Sequence, residues 1–268
     1  MSELEPIQPA KSLRVLLIGD SCIDRYHYGT CERLSEEAPV PILRVLEAED
    51  RGGMALNVKS NLEGLGAMVE MITNDEKIVK SRYIDRKTRQ HLLRADWGEA
   101  HAPKPLSKAD LDGVDFDSFD AIVLSDYDKG FLCVPIIKNI LGRSKNKKVF
   151  VDSKKSDLSC YEDCILKINE SEFKRASHFP KNCELIVTLG ERGATYKEEV
   201  YPTKKVEVFD VSGAGDTFLS ALAYYNITGA SVRDSISWSV KYATYVVQKS
   251  GTYALTSDDV ARIENEGI

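Results

Sequence analysis

The amino-acid sequence predicts an α/β fold with a doubly wound, mostly parallel sheet flanked by helices. Short apolar runs alternate with segments of helical periodicity, and each run ends in polar residues. The apolar runs are 13–18, 121–124, 149–151, 165–168 and 185–189. Because the carboxyl ends of parallel strands meet at one edge of a sheet, this pattern predicts a ligand site at that edge.

The elements follow in chain order. The first strand, 13–18, should deliver Asp20 to the carboxyl edge. Segment 39–51 has many apolar residues and few turn formers, which predicts an extended flap. Apolar spacing over 57–65 predicts a helix, and a last helix over 240–248 should end in a turn at Gly251.

Composition bounds the class of protein. The chain has 268 residues with 43% hydrophobic and 29% charged content, which is enough for a large core and predicts one domain over 1–268. A net charge of -6 gives no general attraction for nucleic acid. Apolar runs are too short to span a membrane, and the polar opening 1–11 does not resemble a signal peptide. We therefore expect a cytoplasmic protein without nucleic-acid or membrane partners.

The cysteines do not indicate a metal site. Six are scattered along the chain without a CxxC pair or zinc-type spacing. Free thiols are therefore expected.

The most informative stretch is 208–218. An apolar strand end leads into Gly213, Ala214 and Gly215, and apolar residues then recur at helical spacing. The unpaired N–H groups of a helix start, aligned with the helix dipole, can hold a phosphate. A carboxylate at Asp216, in the first turn, could take a proton from an incoming hydroxyl. The alternative is a glycine-rich turn in which Asp216 merely starts the helix.

This stretch resembles the second signature of the ribokinase-like (PfkB) carbohydrate kinases. Three further segments resemble family motifs in the family order: 52–57 with Gly52, Gly53 and Asn57; 167–172 with Asn169 and Glu172; and 188–193 with Thr188, Gly190 and Gly193. The resemblance implies an ATP-dependent sugar kinase in which Asp216 is the catalytic base and 213–215 form the anion hole.

The same resemblance implies roles for the other motifs. Gly52, Gly53 and Asn57 would line the sugar site, together with Asp20. Asn169 and Glu172 would organise magnesium through water, and Thr188, Gly190 and Gly193 would contact the nucleotide. Some family members bind a monovalent cation near the positions of Asp210 and the 250–251 turn. The residues at these positions do not by themselves establish such a site in this chain.

A narrower resemblance links the chain to bacterial D-glycero-D-manno-heptose 7-phosphate kinases, the kinase half of the ADP-heptose synthesis enzymes. It rests on segments 19–41, 92–96 and 125–130. It implies phosphorylation of the anomeric hydroxyl to give the 1,7-bisphosphate, with lids at 39–51 and 82–97 that pair in a homodimer. Arg25, Lys129, Asp152 and Lys154 are further candidates for contacts to the sugar or its phosphate.

Two alternatives remain at this point: another sugar or nucleoside kinase of the same fold, and a regulatory relative. The chain also departs from the family after 68–73, where 76–80 leads almost at once into the second lid. That span is too short for a crossover helix. We therefore expect a missing peripheral strand-helix unit, and with it a more open acceptor site. We also expect a valine at Gly215 to block the phosphate and to strain a positive φ angle.

Overall fold

The computed structural model describes residues 12–266. Residues 1–11, on which the expectation of no signal peptide rests, lie outside this part. The strands are β1 Arg14–Gly19, β2 Ser21–Leu34, β3 Pro41–Met54, β4 Met68–Thr73, β5 Val79–Asp85, β6 His91–Trp97, β7 Ala121–Asp126, β8 Lys148–Ser153, β9 Cys164–Asn169, β10 Cys183–Thr188, β11 Ala194–Tyr196 and β12 Glu199–Tyr201. The helices are α1 Ala55–Gly64, α2 Val134–Arg143, α3 Glu170–Arg175, α4 Ala214–Ile227, α5 Val232–Val246 and α6 Ser257–Glu266.

The main sheet has eight strands in the order β12-β11-β10-β9-β8-β7-β1-β4. Every pairing from β10 to β4 is parallel, whereas β11 and β12 are antiparallel. Successive residues of β1 face opposite sides: Val15 and Leu17 join the core against α1, α4 and α5, while Leu16 and Ile18 join the core against α2. Both faces are thus covered, which explains the continuous apolar runs and confirms the predicted fold class.

A smaller four-stranded sheet in the order β3-β2-β5-β6 forms a lid. The predicted lid segments 39–51 and 82–97 fall in β3, β5 and β6. The 14-residue strand β2 is an additional lid strand that the sequence analysis did not predict.

Residues 74–78 alone connect β4 to β5, so no helix stands between these two strands in the described chain. The strand β4 is the edge of the main sheet, and the predicted absence of a helix between β4 and the second lid segment is confirmed. Two helix boundaries differ from the prediction, since α1 begins at Ala55 and α5 already at Val232. Ser231 explains the latter, because its side chain caps α5 by accepting from the N–H of Asp234.

Within residues 12–266, none of the helices combines the length and the apolar character that crossing a membrane would require.

Candidate active site

The site is built around Asp216 in the first turn of α4. Its carboxylate is 3% exposed and accepts two hydrogen bonds, from Asn57 Nδ2 at 3.0 Å and from the Tyr127 hydroxyl at 2.7 Å. Burial, reinforced by nearby Asp152, raises the pKa of Asp216 to about 6 despite these two donors. A carboxylate with this pKa is ionised at neutral pH and basic enough to take a proton in a reaction.

The glycines beside Asp216 leave room for an anion. Gly213 precedes α4 with φ 83°, and a Cβ on Gly215 would lie 2.9 Å from Lys167 Nζ. The first N–H groups of an α-helix have no acceptor within the helix, so those of Gly213 and Gly215 are available to a ligand, whereas the N–H of Ala214 donates to the Val211 carbonyl at 3.3 Å. The expectation of a positive φ at Gly215 is wrong, because the tight turn is made one step earlier, at Gly213.

A chain of alternating charges runs beneath this helix start. Lys167 Nζ lies 2.7 Å from Asp152 Oδ2, and Lys154 Nζ bridges Asp152 Oδ1 at 3.3 Å and Glu172 Oε1 at 2.7 Å. Burial favours a protonated Asp152, but Lys154 and Lys167 outweigh it and hold the pKa of Asp152 below its usual range. Because the chain of charges lies next to Gly215, it also places positive charge beside the helix start.

Asn169 and Glu172 form a capping box at the start of α3. The Asn169 side chain accepts from the Glu172 N–H at 2.8 Å, and the Glu172 carboxylate accepts from the Asn169 N–H and Nδ2, both at 2.7 Å. This explains why α3 begins directly at the end of β9. In the described part of the chain no three His, Cys, Asp or Glu side chains are grouped to hold a metal.

A cavity of about 990 Å³ opens on one side of Asp216. It brings together predicted residues from the separate motifs: Asp152, Lys154, Asn169, Thr188, Gly190, Gly193, Gly213, Ala214, Gly215 and Asp216. Part of its wall is apolar, formed by Val206, Val208, Val211, Val240 and Val247. A Cβ on Gly193, which has φ 89°, would clash with the carbonyl oxygen of Tyr201 at 1.9 Å. The cavity thus combines a polar floor with an apolar wall.

The other side of Asp216 holds Asp20, Gly53 and Asn57. Asp20 is fully buried, and its Oδ2 accepts from the N–H of Tyr127 at 2.8 Å. Burial, and secondarily Asp126, raise the pKa of Asp20 to about 6. Within the described residues, Asp20 Oδ1 has no hydrogen-bond partner. Buried polar atoms are normally paired, so this oxygen marks a place for a polar ligand.

The glycines on this side stand where there is no space for a side chain. A Cβ on Gly53 would lie 2.4 Å from Asp24 Oδ2, and one on Gly52 would lie 2.7 Å from Leu56 Cβ. Gly53 therefore lets β3 approach β2 where the lid meets the core.

Two predicted residues lie farther from Asp216. Lys129 Nζ lies 2.7 Å from Glu99, whose other oxygen lies 3.9 Å from Lys80 Nζ. Arg25 forms an exposed bidentate pair with Asp50. Because side chains alternate along a strand, Arg25 points away from the face that carries its neighbour Asp24, and the structure does not bring it to Asp216.

Sequence reasoning did not assign roles to two residues of the site. Tyr127 bonds to Asp216, and Lys167 underlies Gly215. Lys167 could have been noticed as the one charged residue inside the apolar run 165–168. Nothing in the local sequence around Tyr127 indicates its contact with Asp216, which lies 89 residues away.

Comparisons with known proteins place the chain in a family. A family model described as pfkB family carbohydrate kinase matches residues 67–259. The bifunctional protein HldE of Alcanivorax borkumensis is 34% identical over 309 aligned residues, which cover 95% of this chain and 64% of that protein. The chain thus spans less than two thirds of the length of this relative.

Solved structures show the same architecture. Escherichia coli phosphofructokinase-2 in complex with potassium superposes with a TM-score of 0.72 at 14% identity, covering 95% of this chain and 98% of that one. Arabidopsis thaliana ribokinase complexed with ribose and ATP gives 0.66 at 16% identity, covering 95% and 99%. At these identities the similarity shows the fold alone. It confirms the ribokinase-like architecture, and with the family match it shows that the chain belongs to the pfkB family of carbohydrate kinases, enzymes that transfer a phosphoryl group to a sugar hydroxyl.

Proposed function

We propose that this kinase uses magnesium ATP to phosphorylate the anomeric hydroxyl of D-glycero-D-manno-heptose 7-phosphate, giving the 1,7-bisphosphate. The observation that carries the proposal is the position of Asp216 between a large cavity and a buried carboxylate, that of Asp20. On one side is the large cavity with its helix start; on the other is Asp20 with an unpaired, buried oxygen. A phosphoryl donor and a hydroxyl acceptor need to meet at such a boundary.

In the proposed step the acceptor oxygen attacks the γ-phosphorus while the bond to the ADP oxygen breaks. The hydroxyl proton passes to Asp216, and the N–H groups of Gly213 and Gly215 stabilise the charge on the transferring group. The ammonium group of Lys167, beside Gly215, adds positive charge at the same point. No covalent enzyme intermediate is needed.

The nucleotide would occupy the cavity. Thr188, Gly190 and Gly193 would contact phosphates and ribose, and the valine wall would cover the base. A magnesium ion would neutralise the phosphates. Both Asn169 and Glu172 are engaged in their capping box and Glu172 also pairs with Lys154, which suits contacts to the ion through water.

The acceptor would lie on the Asp20 side. Asp20 and Asn57 would hold sugar hydroxyls, which offer paired donors and acceptors, and Gly53 would line the sugar site with its backbone. Lys129 and Lys80 would serve the distal phosphate. In this structure both lysines contact the carboxylate of Glu99, whose Oε1 is buried without a hydrogen bond. A phosphate would provide the stronger acceptor for these ammonium groups.

Two further assignments belong to the same proposal. Exposed apolar side chains on the lid support a homodimer in which the lids pair; they include Leu34, Val45, Leu46, Leu93 and Trp97. A monovalent cation beside Asp210, whose oxygens accept from the N–H groups of Ser212 and Gly251, also stays a proposal.

An ADP-release screen tests the substrate. Phosphorylated and free heptoses, hexoses, pentoses and nucleosides are offered with magnesium ATP, and we expect the heptose 7-phosphate to give the highest kcat/KM. Turnover with nucleosides or unphosphorylated pentoses alone would refute the heptose assignment. Absence of transfer to every acceptor would favour the regulatory alternative.

A further inference from the structure

In the described part of the chain, Tyr127 forms hydrogen bonds with both Asp20 and Asp216. It follows β7 directly, and its backbone N–H donates to Asp20 Oδ2 at 2.8 Å. Its hydroxyl donates to Asp216 Oδ1 at 2.7 Å. A single residue, through its backbone and its side chain, therefore links the proposed acceptor carboxylate to the proposed base.

The ring of Tyr127 is held from several sides. Cys22, Met54 and Ile78 of the lid region form a small buried cluster on which it packs. The ammonium groups of Lys80 and Lys154 lie 5.8 and 5.3 Å from its ring centroid, positions that favour the electron-rich face of a phenol. The hydroxyl is thus aimed at Asp216 by packing that does not depend on the hydroxyl itself.

The direction of the hydrogen bond is also settled. Burial, and then the charge of Asp216, raise the pKa of the Tyr127 phenol well above its usual value. The phenol is consequently protonated throughout the working pH range and donates to the carboxylate. Asn57 Nδ2 donates to the other oxygen at 3.0 Å, so the plane of the carboxylate is fixed at both ends.

We propose that Tyr127 is a positioning residue for the phosphoryl transfer: its hydroxyl orients the Asp216 carboxylate and favours its ionised form. Each carboxylate oxygen has two lone pairs, so a second one stays available to the acceptor hydroxyl. The inference rests on the proposed role of Asp216 as the base.

The proposal has a consequence for pH dependence. The hydrogen bond from Tyr127 lowers the pKa of Asp216 against the larger effect of burial. The other titratable groups that face Asp216 are Asp152, Lys167, Lys154 and Cys22, and none is altered by Tyr127→Phe. Loss of the hydroxyl alone should therefore raise the pKa of the base and move the acid limb of kcat toward higher pH.

The decisive experiment compares kcat against pH for the wild type, Tyr127→Phe and Tyr242→Phe. Phenylalanine keeps the packing and the cation–π contacts of Tyr127. We expect kcat of Tyr127→Phe to fall on the order of tenfold at pH 8, and its acid limb to move up by roughly one pH unit, with the KM for ATP unchanged. Tyr242 is fully buried, and its hydroxyl forms a hydrogen bond with that of Tyr225, so its variant controls for loss of a hydrogen-bonded tyrosine hydroxyl and should keep the wild-type profile.

A second substitution covers the case in which Tyr127→Phe does not fold. Replacing Tyr127 with 3-fluorotyrosine makes the phenol a stronger donor, so the acid limb should move to lower pH. A uniform loss of kcat without any shift of the limb, or an unchanged profile, would overturn the inference. If Asp216→Asn were to retain turnover, the proposed role of the base would fail instead, and the two failures are thus distinguishable.

Discussion

The two sides of Asp216 differ in how complete they are. On the cavity side, Asp152, Lys154, Lys167, Asn169 and Glu172 are paired with one another, and the space is already open. On the Asp20 side, Asp20 is buried and Glu99 is partly buried, and Asp20 Oδ1 and Glu99 Oε1 have no hydrogen-bond partner among the described residues. The contrast teaches that the cavity side is preformed, whereas the acceptor side still needs a ligand to satisfy its polar groups.

The largest expected effect comes from the residue that the two sides share. Asp216→Asn keeps size and most of the hydrogen bonding but removes the proton acceptor, so kcat should fall by a factor on the order of 100 or more. ATP binding, measured by calorimetry, should change little because the cavity is formed without this charge. Near-normal turnover in Asp216→Asn would refute the proposed role of Asp216 as the base.

The second-largest effect is expected for a substitution on the preformed cavity side, at Gly215. In Gly215→Val the new side chain would meet Lys167 Nζ, 2.9 Å from the Cβ position, at the place where the phosphoryl group must sit. Catalysis should fall on the order of 100-fold while the protein stays folded. Gly142→Val is the matched control, since a Cβ at this other helical glycine meets nothing within 4 Å. Full activity in a folded Gly215→Val variant would show that the glycine turn is structural.

The pH dependence of activity distinguishes the base, Asp216, from the acceptor-side carboxylate, Asp20. Asp216 and Asp20 each have a pKa raised to about 6, and both are expected to act as ionised carboxylates. Activity should therefore be lost as pH falls through 6. In kcat/KM for the acceptor the limb should be steeper than a single proton gives, because both groups titrate in the free enzyme. In Asp20→Asn the limb should be less steep by one proton; an unchanged slope would remove Asp20 from acceptor binding.

The smallest effect concerns the missing strand-helix unit. Residues 74–78 replace it, so the acceptor side has one neighbour fewer than in relatives that carry the unit. We expect a several-fold higher acceptor KM, or more ATP hydrolysis without acceptor, than the Alcanivorax borkumensis relative shows under the same conditions. Equal KM and equal background hydrolysis would refute the more open site.

Local sequence patterns predicted the parts that local physics determines. The helix start at 213–216 was readable because glycines precede helical periodicity, and the strand ends were readable because buried runs stop at polar residues. Contacts between residues that are far apart in the sequence could not be predicted, because they depend on how the strands and helices align in the fold. Tyr127 reaches Asp216, and Lys167 reaches Asp152, because of how strands and helix align. Arg25 shows the same limit, since the face of β2 on which it lies decides its contacts.

Two of the segments that join the lid to the core are very short, and this constrains how the lid can move. Asp20 alone separates β1 from β2, and β3 passes into α1 at Met54, which has φ 57°. Such joints permit rotation of the lid as a rigid plate but little translation. Asp20 stands at the pivot of that rotation, where a swinging body displaces its atoms least. An acceptor held there would keep its alignment with Asp216 while the far end of the lid opens and closes over it.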